Sequence, residues 1–186
     1  RKLTRLSSFG YDTYTVMEEV IKERFHGIAE VVSFDDQNSD LMSSFEKQVK
    51  LVRSADIIVG AHGAGLSHLL FAKPHTSIVS FRGRTNSDIY ALMSMAMDMD
   101  FHHLLWTYNG EELMDDISTQ LLGILKTKLP HGNVVQSEDE NEVTNKIQKS
   151  ISSPVRIGVI VTISKSVQSS VESVLTTFID TLWTYH

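Results

Sequence analysis

The sequence predicts an α/β fold built on a parallel sheet, and three observations carry that prediction. Short β-branched apolar runs recur along the chain, amphipathic runs separate them, and the connections between them are brief. Such alternation covers both faces of one sheet with helices. The composition agrees: 186 residues, 41% hydrophobic and 22% charged, can bury a sizeable core and are not disordered wholesale. The length favours one domain with part of another.

The elements follow in order. "DTYTVMEEVIKERF" (12–25) reads as a helix with Val16, Val20 and Ile21 as its apolar stripe and Asp12 or Thr13 at its N-cap. "AEVVSF" (29–34) is a short strand, followed by the polar turn "DDQNSD". "LMSSFEKQVKLVRSA" (41–55) reads as one helix, with Leu41, Phe45, Val49 and Val52 at helical spacing. Strand 56–61 leads into a glycine loop and a helix from about Ser67 to Phe71. Strand 76–81, helix 86–99 (Asn86 or Ser87 as cap), strand 101–108 and the amphipathic helix 111–129 complete the pattern, which is Rossmann-like. Three segments result: a domain at 1–130, an acidic polar linker at 131–152 and a strand–helix unit at 153–186. The last either opens a second domain or completes the first; the sequence supports both readings.

Composition also excludes functions. A net charge of −6 and a pI near 5.7 argue against a nucleic-acid binder, which needs clustered Lys and Arg. The absence of cysteine removes disulfides, thiolate catalysis and Cys-based zinc sites. No apolar run approaches the roughly 20 residues that span a bilayer, and no signal peptide is visible. The chain begins at Arg1 rather than Met and is read as a piece of a longer protein, with any anchor upstream.

The chemistry concentrates in "ADIIVGAHGAGLSHLLF" (55–71). Ligands of open α/β sheets bind outside the carboxyl ends of the strands, where this loop lies. Glycines allow a close backbone approach, and a helix start offers N–H groups and a positive dipole end to a phosphate. His62 can donate a hydrogen bond to a phosphoryl oxygen or a sugar hydroxyl. The structural alternative is a tight strand-to-helix turn with a histidine satisfied in place. Gly60, Gly63 and Gly65 do not follow G-x-G-x-x-G, and Ser80 and Arg82 stand where a dinucleotide site requires an acidic residue. Arg1 and Arg5 precede the first helix and suit a diphosphate; "FRGR" (81–84) falls on the same sheet edge. Adjacent His102 and His103 face opposite sides of a strand. The methionines of "MSMAMDMDF" suit core packing, and no metal-ligating pattern stands out.

The stretch "FEKQVKLVRSADIIVGAHGAGLSHLLFAKPHTSIVSF" resembles the hallmark segment of glycosyltransferase family 61, through Gln48, Ala55–Asp56, His62 to Leu66, Leu70–Phe71 and Pro74. Arg1 and Arg5 are similar to an R-x-x-x-R segment of that family, and "MDMDFHHLLW" to a segment further on. The resemblance covers about residues 1–110. It implies a GT-B enzyme of which this chain is the C-terminal, donor-binding half, an inverting UDP-sugar-dependent transferase of N-acetylglucosamine or xylose. Arg1 and Arg5 would neutralise the UDP diphosphate. His62, Gly63, Ala64, Gly65, Leu66 and Ser67 would hold phosphates and sugar, and Ser80 and Arg82 would lie near the ribose or base. Ser80 departs from the glutamate common in the family. The acceptor domain and catalytic base would lie upstream of Arg1, leaving the piece alone inactive. The partners implied are a nucleotide-sugar donor and a glycoprotein or glycan acceptor, in the lumen of the endoplasmic reticulum or Golgi. No cofactor or metal is implied. The alternatives are a non-catalytic binding domain derived from such an enzyme, or a nucleotide-dependent oxidoreductase.

Overall fold

A computed structural model describes residues 11–82, 89–105, 110–128, 140–151 and 153–161. Helix α1 (Tyr11–Arg24) leads to β1 (Ala29–Asp35), then α2 (Ser39–Met42), α3 (Phe45–Ser54) and β2 (Ile57–Ala61). A 3-10 helix (Ala64–Phe71) precedes β3 (Ser77–Arg82), α4 (Ile89–Ala96), β4 (Asp100–Leu105), α5 (Gly110–Thr127), α6 (Glu140–Ser150) and β5 (Val155–Val161). The five strands form one parallel sheet in the order β1-β5-β2-β3-β4. The expected α/β, Rossmann-like class is what the chain adopts.

Alternating strand residues separate two cores. Ile57, Val59, Val79, Phe81, Ile157 and Val159 face α1, α5 and α6. Ile58, Ile78 and Ile160 face α3, the 3-10 helix and α4. The steps β1→β2→β3→β4 cross on the second face and the return to β5 crosses on the first, as right-handed crossovers in opposite directions demand.

Of the two readings of the strand near 153–166, the structure takes the one that completes the first sheet: β5 sits between β1 and β2, with Val31↔Ile157 on one side and Ile57↔Ile157 on the other. Other expectations are corrected. Residues 140–150, expected in a linker, form α6, which buries Val143 and Ile147 against the core. The run 41–55 is two helices. Asn38 caps α2 by accepting from the Asp40 and Leu41 N–H groups, and Ser44 caps α3 by accepting from the Lys47 N–H. Gln48, 8% exposed, spans the break by donating to the Leu41 and Met42 carbonyls (both 3.4 Å). The buried stripe of α1 is Tyr14, Met17, Ile21 and Phe25; of the expected set, Ile21 belongs to it, Val20 is partly buried against the same core and Val16 is not part of it. The expected helix 169–186 lies outside the described residues.

Asp56 ties three strands at the amino edge of the sheet. Its N–H donates to the Arg156 carbonyl (2.8 Å), and its carbonyl accepts from the Ser77 N–H (3.1 Å). Its carboxylate accepts from the Arg156 N–H (2.9 Å) and the Lys73 Nζ (2.7 Å). Partial burial raises the Asp56 pKa, but Lys73 and the Arg156 N–H outweigh it and hold the carboxyl below its ordinary value. Stabilisation is therefore complete above the unfolded value of about 4 and lost as pH falls through the lower folded value. Asp56→Asn is expected to cost about 1 kcal/mol at pH 7, a figure reduced for the partial exposure of the pair. Chemical denaturation at pH 7 and pH 3 checks this: the gap between variant and wild type should narrow at pH 3, and an equal gap would contradict the assignment.

Candidate functional site

The loop after β2 is built by handing one strand over to a helix within two residues. The His62 N–H donates to the Phe81 carbonyl (2.8 Å), extending the β2–β3 ladder one step beyond β2. Gly63 is almost fully extended (φ 170°, ψ 179°), and the 3-10 helix starts at Ala64, three residues before the predicted helix. Residues three apart eclipse in such a helix, so Leu66 and Leu69 share a stripe and both are fully buried. The Leu66 side chain is therefore a core residue.

The glycines divide by environment. A Cβ on Gly60 would lie 3.2 Å from Leu66 Cδ2 and 3.4 Å from Ile160 Cβ, so Gly60 serves the packing of β2. A Cβ on Gly63 would meet nothing within 4 Å. The first paired N–H of the helix is that of Leu66, which donates to the Gly63 carbonyl (2.9 Å). Among the described residues, the N–H groups of Gly63, Ala64 and Gly65 have no acceptor, and no side chain caps the helix start. Three consecutive donors without acceptors lie at the positive end of the helix, open beside Gly63 and buried at Gly65, an arrangement of the kind that makes a candidate anion cradle.

Side chains from other elements border it. Tyr90 of α4, 4% exposed, donates its hydroxyl to the Gly63 carbonyl (2.5 Å) and sets its ring edge-on to His62, with centroids 4.9 Å apart. Ser67 Oγ donates to the Ala64 carbonyl (2.6 Å). His68 Nδ1 lies 3.1 Å from the Gly65 carbonyl, which can only accept, so Nδ1 carries the proton and Nε2 the lone pair of the neutral ring. Burial, opposed by the Gly65 bond, holds the His68 pKa below its usual value, and Phe34 packs 4.3 Å from the ring.

Tyr14 and Asp36 were not singled out by sequence reasoning. Burial first, then the nearby Asp36 carboxylate, pushes the Tyr14 phenol up to about 12 against an opposing backbone hydrogen bond at Ala61. The first turn of α1 thus reaches the carboxyl end of β2. A helix antiparallel to its sheet must start there, and that was the available signal.

Of the residues expected at the site, His62, Gly63, Ala64, Gly65 and Ser67 come together. Ser80 has no exposed surface, and its hydroxyl has no hydrogen-bond partner among the described residues. It is buried within the sheet. Arg82 ends β3 opposite Leu105. Arg1 and Arg5 lie outside the described residues. No group of three or more His, Asp or Glu among the described residues is arranged to hold a metal, and no described helix is long and apolar enough to cross a membrane.

The Glycosyltransferase 61 family model matches residues 12–79, a span running from α1 through the cradle into β3. The chain is also similar to "Beta-1,2-xylosyltransferase RCN11" of Oryza sativa subsp. japonica, with 29% identity over 84 residues. These residues are 45% of this chain and 16% of the rice protein. It is similar too to "Beta-1,2-xylosyltransferase" of Arabidopsis thaliana, with 49% identity over 35 residues, 19% of this chain and 7% of that protein. The alignments thus span under a fifth of either relative's length. No solved structure matches the chain. Within the matched segment, Gln48 and Asp56 are structural ties, whereas the loop that begins at His62 lies at the carboxyl end of β2.

The two glycines generate a paired prediction. Gly60→Ala is expected to destabilise the fold by about 1 kcal/mol through overpacking, whereas Gly63→Ala should unfold like wild type yet place its methyl in the cradle. Thermal unfolding alongside UDP titration checks both; a destabilised Gly63→Ala that binds normally would reverse the assignment.

Proposed function

We propose that this chain supplies the donor site of an inverting glycosyltransferase that transfers a sugar from a UDP-sugar to a glycoprotein or glycan. One observation carries the proposal: the N–H groups of Gly63, Ala64 and Gly65 have no acceptor among the described residues, at the carboxyl edge of the sheet and inside the segment that the family 61 model matches. Xylose is the favoured sugar because both curated relatives are named xylosyltransferases; N-acetylglucosamine is the second choice. The acceptor hydroxyl attacks the anomeric carbon as the bond to the UDP oxygen breaks, and negative charge grows on the departing diphosphate. Preorganised N–H donors stabilise that charge where it develops. His62 adds a side-chain donor at the cradle's rim, and Arg1 and Arg5 would supply the cationic balance. The base that takes the acceptor proton is assigned to a part of the enzyme upstream of Arg1, and the setting to the secretory lumen, where glycoprotein acceptors are made.

Calorimetry with UDP and NAD in parallel tests the proposal. Saturable UDP binding, no NAD binding, and a loss of about 1–3 kcal/mol in His62→Ala, as expected for a charge-assisted contact, would support it. NAD binding with UDP excluded would favour an oxidoreductase. No binding of either by the folded chain would remove the donor-site reading.

A further inference from the structure

The cradle contains a mechanical problem that its sequence alone does not solve. Gly63 lacks the Cβ that confines other residues, so the Gly63–Ala64 peptide is free to rotate as a unit between alternative orientations. A trans peptide is planar, with its C=O and N–H pointing in opposite directions. Whatever fixes the Gly63 carbonyl therefore also fixes the Ala64 N–H, the central donor of the three. The structure holds that carbonyl with two donors, the Leu66 N–H (2.9 Å) from within the helix and the Tyr90 hydroxyl (2.5 Å) from α4. The peptide before it is pinned separately, through the His62 N–H to Phe81.

We propose that Tyr90 is a positioning residue of the donor site, its phenol locking the Gly63–Ala64 peptide so that the Ala64 N–H faces the ligand while its ring fixes the His62 imidazole. This rests on the reading of the cradle as a nucleotide-diphosphate site. The Leu66 bond alone does not suffice, because the first bond of a 3-10 helix is poorly directed and a glycine precedes it. Tyr90 is suited to the task because it is itself immobile. It is buried on α4 in the core that contains Leu66, Leu69 and Ile78. The same side chain touches both polar components of the loop, the Gly63 carbonyl through its hydroxyl and the His62 ring through its edge. Locking before binding removes an ordering cost from the binding step.

Tyr90→Phe keeps the ring and deletes the hydroxyl. In the full 186-residue chain it is expected to weaken UDP binding about five- to tenfold, with cooperative unfolding retained. The amide signal of Ala64, assigned by NMR, should move in the unliganded variant, and its response to saturating UDP should shrink relative to wild type. Tyr90→Phe that binds UDP within twofold of wild type, with an unchanged Ala64 response, would overturn the positioning role and leave the donor site standing. Wild type that binds no UDP would instead overturn the donor reading, and the role of Tyr90 with it. If Tyr90→Phe fails to fold, Tyr90→Trp provides the second readout. It keeps a ring against His62 but cannot place its N–H on the Gly63 carbonyl, so weakened UDP binding by a folded Trp variant supports the role and wild-type affinity overturns it.

Discussion

The structure depends on β5 being held between β1 and β2. Without it the sheet has a gap between its first two strands, and the cores on both faces lose Ile157, Val159 and Ile160. The backbone ladders to both neighbours provide most of the hold, and Asp56 reinforces it at the amino edge with its N–H···O bond to Arg156 and its carboxylate. The exposed Arg156–Glu30 fork across the β1–β5 pair adds register more than energy. Because β5 comes last among the described strands and pairs with residues a hundred or more positions earlier, the central sheet cannot close until that part of the chain is in place. Such non-local pairing is slow to form.

That constraint places the cradle. With β5 seated, the carboxyl end of β2 lies mid-sheet, covered on one face by the first turn of α1 and on the other by α4. Tyr14 reaches it from the first and Tyr90 from the second. The loop then needs only two devices, a short glycine-containing exit from β2 and a set of external bonds that restrict the freedom glycine introduces. The first device is written in six consecutive residues. The second is distributed over β3 and α4, where the Phe81 carbonyl and the Tyr90 hydroxyl act.

What was legible in the sequence follows the same division. Strands and helices with strong local periodicity, such as β2, β3 and α5, could be read because each pattern lies within a few neighbouring residues. The loop could be read as a site because glycine, histidine and a helix start fall within a short span. The place of β5 could not, since its apolar composition suits the centre of this sheet or another, and its partners are distant. Helix α6 was hidden because only Val143 and Ile147 interrupt a polar, acidic run. The break between α2 and α3 was hidden because Leu41 and Phe45 keep helical spacing across it, although Ser44 caps a new helix and leaves Phe45 62% exposed. The burial of the Leu66 and Ser80 side chains could not be read either, because proximity in sequence does not reveal which way a side chain points. A 3-10 period turns Leu66 into the core, and the strand's alternation buries Ser80.

The central claim is that the N–H groups of residues 63–65 receive a diphosphate. A crystal structure of the chain with UDP tests it most directly. The account predicts a phosphate oxygen within about 2.7–3.2 Å of the Ala64 and Gly65 nitrogens, with the Gly63 carbonyl still bonded to Tyr90. UDP seated on another surface, with those nitrogens contacting only solvent, would contradict it.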